Sequence, residues 1–251
     1  GANSPVIGLI LNLFIGIALG ANVVIAHAIG HGDQDTVEKA VHTSVLVSLL
    51  GGAAVAGAGE LLAAPVLGLL NVPQEVFPLA LLYLRIYLAG MPVILLYNFE
   101  AAIFRSVGNS KVSMQVSLLM NGINVVGNAI CIFVLKMGVA GVAVPTVVSR
   151  CVAAVVILLL AANPKQELCL KWGAICHADG KMIGSILRIG VPNACENSLF
   201  QLGRLIVVSM IALFGTVQTS ANAVANTLDS VGIIIGQAMG LAMVTVVGQC
   251  V

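Results

Sequence analysis

An all-α polytopic membrane fold is what this 251-residue chain predicts, on three observations. Hydrophobic residues make up 59% of it and charged residues only 8%, too few to clothe a water-soluble domain of this size. Mean hydropathy is +1.09, and the apolar residues run in blocks rather than in the short alternating strands of an outer-membrane barrel. Seven of these blocks each reach the roughly 20 residues that a hydrocarbon layer about 30 Å thick requires. Helices are the form in which so much backbone satisfies itself in lipid.

In chain order the expected spans are 6–29, 43–62, 78–104, 112–134, 138–161, 184–213 and 222–249. The polar connections between them are Gly30–Lys39, Asn71–Gln74, Ser106–Lys111, Lys136–Met137, Asn163–Lys181 and Gly215–Thr219. Basic residues set the orientation. Lys39, Arg105, Lys111, Lys165, Lys171, Lys181 and Arg188 fall after the first, third and fifth spans or lead into the sixth, whereas the opposite loops hold only Lys136. The positive-inside rule puts the first group in the cytoplasm, so the first span runs from outside to inside. An odd number of spans starting in that direction, with Gly1 in first place and no signal peptide, reads as an internal piece of a longer protein.

The longest connection carries Lys165, Glu167, Lys171, Trp172, His177, Asp179 and Lys181 and divides five helices from two. It reads as a cytoplasmic linker over 163–182, between a first helical bundle (1–162) and the start of a second (183–251). A weak repeat supports the division: Gly20–Ile29 and Ala242–Val251 lie 222 residues apart and both place small residues on one helix face.

Several segments, in order, resemble the multidrug and toxic compound extrusion (MATE) family. They are Gly20-Ala-Asn-Val-Val-Ile-Ala-His-Ala-Ile-Gly30-His-Gly-Asp33, Leu84–Leu88 through Tyr97-Asn-Phe99 to Arg105-Ser-Val-Gly-Asn109, and Met137-Gly-Val-Ala-Gly-Val-Ala143. Leu187-Arg-Ile-Gly-Val-Pro192, Glu196-Asn-Ser-Leu-Phe-Gln201 and Val247-Gly-Gln249 complete the set. The resemblance implies a twelve-helix, two-bundle antiporter, of which this chain covers about helices two to eight: five of the six helices of the first bundle and two of the second.

Glu196 is the leading candidate for ion coupling. A carboxylate at the centre of a membrane helix costs about 2.5–3.5 kcal/mol on insertion scales, which a bound cation would offset. Pro192 removes a backbone donor nearby, and Asn193, Asn197, Gln201 and Arg204 follow at helical spacing as one polar stripe. The resemblance makes Glu196 part of a Na⁺ or H⁺ site; an ion pair with Arg204 or an interhelical hydrogen bond is the structural alternative. Asp229, nearer the outer face, is the second cation-coupling candidate. Asn124 and Asn128 share a face with Asn121, and the resemblance implies a first-bundle site there, although Asn128 stands where part of the family has a titrating aspartate. Together with Asn193, Asn197, Gln201 and Glu100 they are the expected cavity residues. Arg105, Pro192 and Gly20 are the gating or structural residues, and Arg105 is placed to snorkel toward the interface.

Other residues carry less. The six cysteines contain no CxxC pair, and His27, His31, His42 and His177 have no second ligand at metal spacing. The expected metal is none beyond a Na⁺ at Glu196, and no cofactor is implied apart from the coupling ion. A net charge of +1 without a basic run argues against nucleic acid. Met91, Met114, Met120, Met210, Met239 and Met243 suit either an adaptable drug surface or lipid-facing filler. No nucleophilic constellation appears, so an enzyme is not expected. The resemblance implies an antiporter of the bacterial inner membrane, monomeric at full length, exporting amphipathic, cationic compounds. A flippase for lipid-linked saccharides or peptidoglycan precursors, and a non-transporting scaffold, are the competing readings.

Overall fold

The computed structural model describes residues 4–69, 74–75, 77–162, 180–212 and 216–250. All regular structure among them is helical: α1 (Ser4–Gly30), α2 (Gln34–Leu69), α3 (Phe77–Ala89), α4 (Met91–Ser106), α5 (Ser110–Ala129), α6 (Ala140–Ala161), α7 (Gly180–Ala212) and α8 (Thr216–Cys250). A π-helical turn, Ile130–Val134, prolongs α5. The greater part of the expected linker, 163–179, lies outside the described residues, as do Cys169, Cys176 and His177.

Three expectations are corrected. The third span is not one rod: α3 and α4 meet at Gly90 with a bend of 50°. Pro92, at the start of α4, has no N–H to extend the α3 hydrogen-bond ladder, so the chain turns there and starts afresh. The second helix begins nine residues earlier than its apolar block, at Gln34. Asp33 ends the preceding turn and accepts from the Thr36 amide at 3.1 Å and the Thr36 hydroxyl at 2.6 Å, so the polar stretch is the first turn of a helix, not a loop. Among the described residues, five helices are long and apolar enough to cross a membrane, six counting the bent pair, and α7 is not among them. Asn193, Glu196, Asn197, Gln201 and Arg204 dilute its apolarity, although it is 33 residues long.

The Thr36 hydrogen bonds hold the Asp33 carboxyl below the ordinary carboxylate range. A lowered value means that the cap contributes fully above the ordinary range and fades as pH falls through Asp33's own. Hydrogen exchange should therefore show Thr36 amide protection declining on acidification in the native chain, with Asp33→Asn insensitive to it. Equal pH dependence in the two would contradict the cap.

Two apolar clusters form the core. The larger joins α1, α2, α4 and α6 through Ile25, Val41, Phe99, Phe104 and Ile157, and takes in Met182, Ile186 and Ala194 of α7. The smaller packs Ile7, Leu67, Leu84, Leu88 and Met91 at the other end of α1. Large apolar side chains elsewhere, such as Leu118 and Val125 on α5 and Ile235 and Met239 on α8, are exposed as lipid contacts are. Arginine partners illegible in the sequence are visible. Arg85 pairs with Glu60 at 3.4 Å, and Arg150 donates to the Tyr87 hydroxyl at 2.8 Å while its guanidinium lies 5.6 Å from that ring's centre.

Helices α1 and α7 pack on small residues. A Cβ on Gly16 would overlap the Ala194 backbone, and one on Gly20 would overlap the Ile186 carbonyl and come within 2.8 Å of Gly190 Cα. Gly190 in turn faces Ile17 Cα at 2.8 Å. Small-residue packing brings membrane helices into backbone contact, and here it joins the helices before the linker to those after it.

Candidate functional site

A cavity of about 590 Å³ lies alongside that contact, walled by four helices. From α1 come Asn12, Ala18 and Asn22; from α4, Asn98, Ala102 and Arg105; from α7, Asn193 and Asn197; from α8, Gln237, Gly240 and Val244. Asn193 and Asn197 sit one turn apart, so both face it, and the Asn197 amide donates to the Asn193 carbonyl oxygen at 3.0 Å. Asn12 and Asn98 donate to their own helices, to the Gly8 carbonyl at 2.7 Å and the Ile94 carbonyl at 2.8 Å. Asn22 is 1% exposed, and neither its amide nitrogen nor its oxygen has a hydrogen-bond partner among the described residues. Arg105 donates to the Ser113 hydroxyl at 3.5 Å, and its Nε is buried without a partner among the described residues.

One end of this interface is closed by backbone. Gly30, the last residue of α1, abuts the Gln249 carbonyl, and the Gln249 side-chain amide donates to the Ser106 carbonyl at the end of α4 at 2.7 Å. Gly248 packs a turn away, its Cβ position 3.0 Å from Ala26 Cβ. The ends of α1, α4 and α8 thus converge, on the side that the basic-residue bias leads us to expect in the cytoplasm. It is also where the two repeat-like segments, Gly20–Ile29 and Ala242–Val251, meet. A larger, mainly apolar cleft of about 790 Å³ lies at this end, lined by α1, α7, α8 and the start of α2. In it His27 and His31 set their Nε2 atoms 3.2 Å apart; His42, outside the cleft lining, is buried on α2 with Nδ1 2.7 Å from the Glu38 carbonyl.

The remaining candidates are dispersed. Glu196 is exposed and absent from the cavity wall; it lies about 200° round α7 from Ala194, opposite the α1 contact. It makes no ion pair with Arg204 among the described residues. Gln201 is half-buried and Asp229 exposed, and neither lines the cavity. Asn124 donates to the Thr146 hydroxyl at 3.1 Å and accepts from Asn128 at 3.0 Å, a ladder between α5 and α6 that leaves Asn128 Oδ1 without a partner. Glu100 is fully buried with both carboxyl oxygens unpartnered among the described residues, and Pro192 is exposed within α7. Met114, Met210, Met239 and Met243 are exposed, and no methionine lines the cavity.

Asn12, Asn22, Asn98 and Gln237 were not singled out by sequence reasoning. The available signal was a lone carboxamide within an apolar run, which becomes informative only once four helices bring such residues together.

A family model described as MatE matches residues 1–130. The chain is 27% identical over 221 residues to the uncharacterised transporter YisQ of Bacillus subtilis, covering 86% of this chain and 48% of that protein. It is 26% identical to the probable multidrug resistance protein NorM of Thermotoga maritima, covering 99% of this chain and 54% of the relative. A crystal structure of a MATE protein in a bent conformation matches with a TM-score of 0.87 at 25% identity, over 99% of this chain and 56% of that one. The chain thus spans about half the length of the curated relatives it matches.

Proposed function

The chain belongs to the MatE family and is a multi-pass membrane protein, and from that premise we propose that it supplies much of the substrate path of a Na⁺- or H⁺-coupled exporter. Residues 1–162 contribute five helices of a first bundle, and 183–251 open a second. Amphipathic organic molecules occupy the cavity between them and leave the cell by alternating access across the bacterial inner membrane. The observation that carries this reading is a cavity with six carboxamides and an arginine among its apolar lining, walled by helices from both sides of the linker, near which the ends of α1, α4 and α8 meet at Gly30, Ser106 and Gln249.

The mechanism needs no covalent chemistry. Small residues at Gly16, Gly20, Gly190 and Ala194 hold α1 and α7 in backbone contact, the seam along which this mechanism would move the two sets of helices. The coupling ion and the substrate must prefer different states or compete for one site, since a ligand shifts an equilibrium only by its differential affinity. Glu196 is the ion-coupling residue in this account, and Asp229 its secondary candidate.

Dye efflux from cells expressing the complete reading frame that carries this chain tests the proposal. Export should follow an imposed Na⁺ or pH gradient and stop when both are collapsed. Export that continues without either gradient would contradict ion coupling, and no export of any amphipathic dye would contradict the function.

A further inference from the structure

From the charge on the cavity wall we infer that the cargo is an amphipathic anion, bearing a carboxylate or phosphate, and that Arg105 with Asn22 receives that group. The inference rests on the export reading above and adds the sign of the substrate's charge, opposite to the cationic compounds that the sequence led us to expect.

Six carboxamides and one guanidinium supply the polar lining of the cavity. The six are neutral. Arg105 is the only charged residue in the wall formed by the described residues, and none of their carboxylates lies within ion-pair reach of it. A guanidinium does not deprotonate in a protein, so the positive charge is permanent. Its Nε is buried, its Nη1 has only the Ser113 hydroxyl at the long distance of 3.5 Å, and its Nη2 has no hydrogen-bond partner among the described residues. Donors are therefore available where a ligand would lie.

Asn22 is the independent second observation. Its amide is almost completely buried in the same wall, with no partner for either polar atom among the described residues. Burying such a group without a partner costs free energy, and a ligand oxygen accepting from it would recover that cost. Arg105 and Asn22 together offer charge-assisted donors to an oxyanion, the pairing for which guanidinium geometry is well suited. An organic cation in the same space would sit beside a like charge with no acid on this wall to offset it. Glu100 does not supply one: it lies two residues from Asn98, about 200° round α4, and is absent from the lining.

The apolar share of the wall, Ile15, Ala18, Leu19, Leu241 and Val244, suits the other half of an amphiphile. A flat apolar body against these residues, with its anionic group directed at Arg105, uses both parts of the site.

The test is binding of carboxyfluorescein and of ethidium to the purified full-length protein in lipid nanodiscs, read by fluorescence anisotropy. Carboxyfluorescein should bind at least ten-fold more tightly than ethidium. Arg105→Gln should remove that preference, and Arg105→Lys should keep part of it. Asn98→Asp puts a carboxylate on the wall at the cost of the hydrogen bond to the Ile94 carbonyl, and should shift the preference toward ethidium by ten-fold or more. Tighter ethidium binding by the native protein, or an unchanged ratio in both Arg105→Gln and Asn98→Asp, would overturn the charge assignment while leaving gradient-driven efflux intact. Binding of neither dye, with no efflux of any dye, would overturn the export reading itself.

Discussion

Replacing Gly20 by alanine will destabilise the protein, whereas the same replacement at Gly57 will not. At Gly20 the new methyl meets backbone: the Ile186 carbonyl, Gly190 N at 2.7 Å and Gly190 Cα at 2.8 Å. Backbone atoms cannot rotate aside, so α1 and α7 must separate. Overpacking of this kind costs about 1–3 kcal/mol. Gly57, exposed on α2, has nothing within 4 Å of its Cβ position, so alanine there gains helix propensity of about 0.5–1 kcal/mol. Thermal melting in detergent should fall for Gly20→Ala and hold or rise for Gly57→Ala. Efflux should fall further in Gly20→Leu, because the displaced α1 also carries Asn12 and Asn22 of the cavity wall. Equal melting temperatures in the two alanine variants would show that α1 and α7 do not pack as described.

Glu196→Gln is expected to reduce gradient-dependent export at least ten-fold without lowering the melting temperature. The substitution conserves shape and removes only the charge. Glu196 is exposed, pairs with no base among the described residues and packs on no core residue, so the fold loses little when it becomes neutral. A cation that needs the carboxylate loses its ligand, and the bundles lose the differential binding that drives them. Unchanged export under both Na⁺ and pH gradients would remove Glu196 from the mechanism, whatever its neighbours do.

The two variants also show what the sequence could reveal. Span length and apolarity are local properties, so α1, α2, α5, α6 and α8 were legible within a few residues at most ends. The bend at Gly90 was hidden inside a continuous apolar run, and only Pro92 marked it. The start of α2 was missed because a capped helix can begin with polar turns, and Asp33 with Thr36 was read as loop chemistry.

Within the site, spacing on one helix was reliable and assembly between helices was not. Asn193 and Asn197 differ by about 40° round α7 and both line the cavity, as a stripe requires. Glu196 is about 100° from Asn197 and falls outside the wall, and it was not one of the four residues of the stripe. Asn22 and Asn98 sit on separate helices 76 positions apart, and no periodicity connects them. Arg105 was assigned to the interface from its place at the end of a span. The helix end is there, and beside it the Ser106 carbonyl accepts from Gln249 of α8, a contact between distant helices that spacing does not reveal.

The most direct test of the cavity as the transport path is cysteine accessibility at Asn98. In a full-length background with every native cysteine replaced, Asn98→Cys and the exposed α5 control Met114→Cys are treated with a membrane-impermeant thiol reagent, with and without a transported dye. The account predicts that the dye slows modification at position 98 and leaves position 114 unchanged. A position 98 that never reacts, or reacts at the same rate whether or not the dye is present, would contradict it.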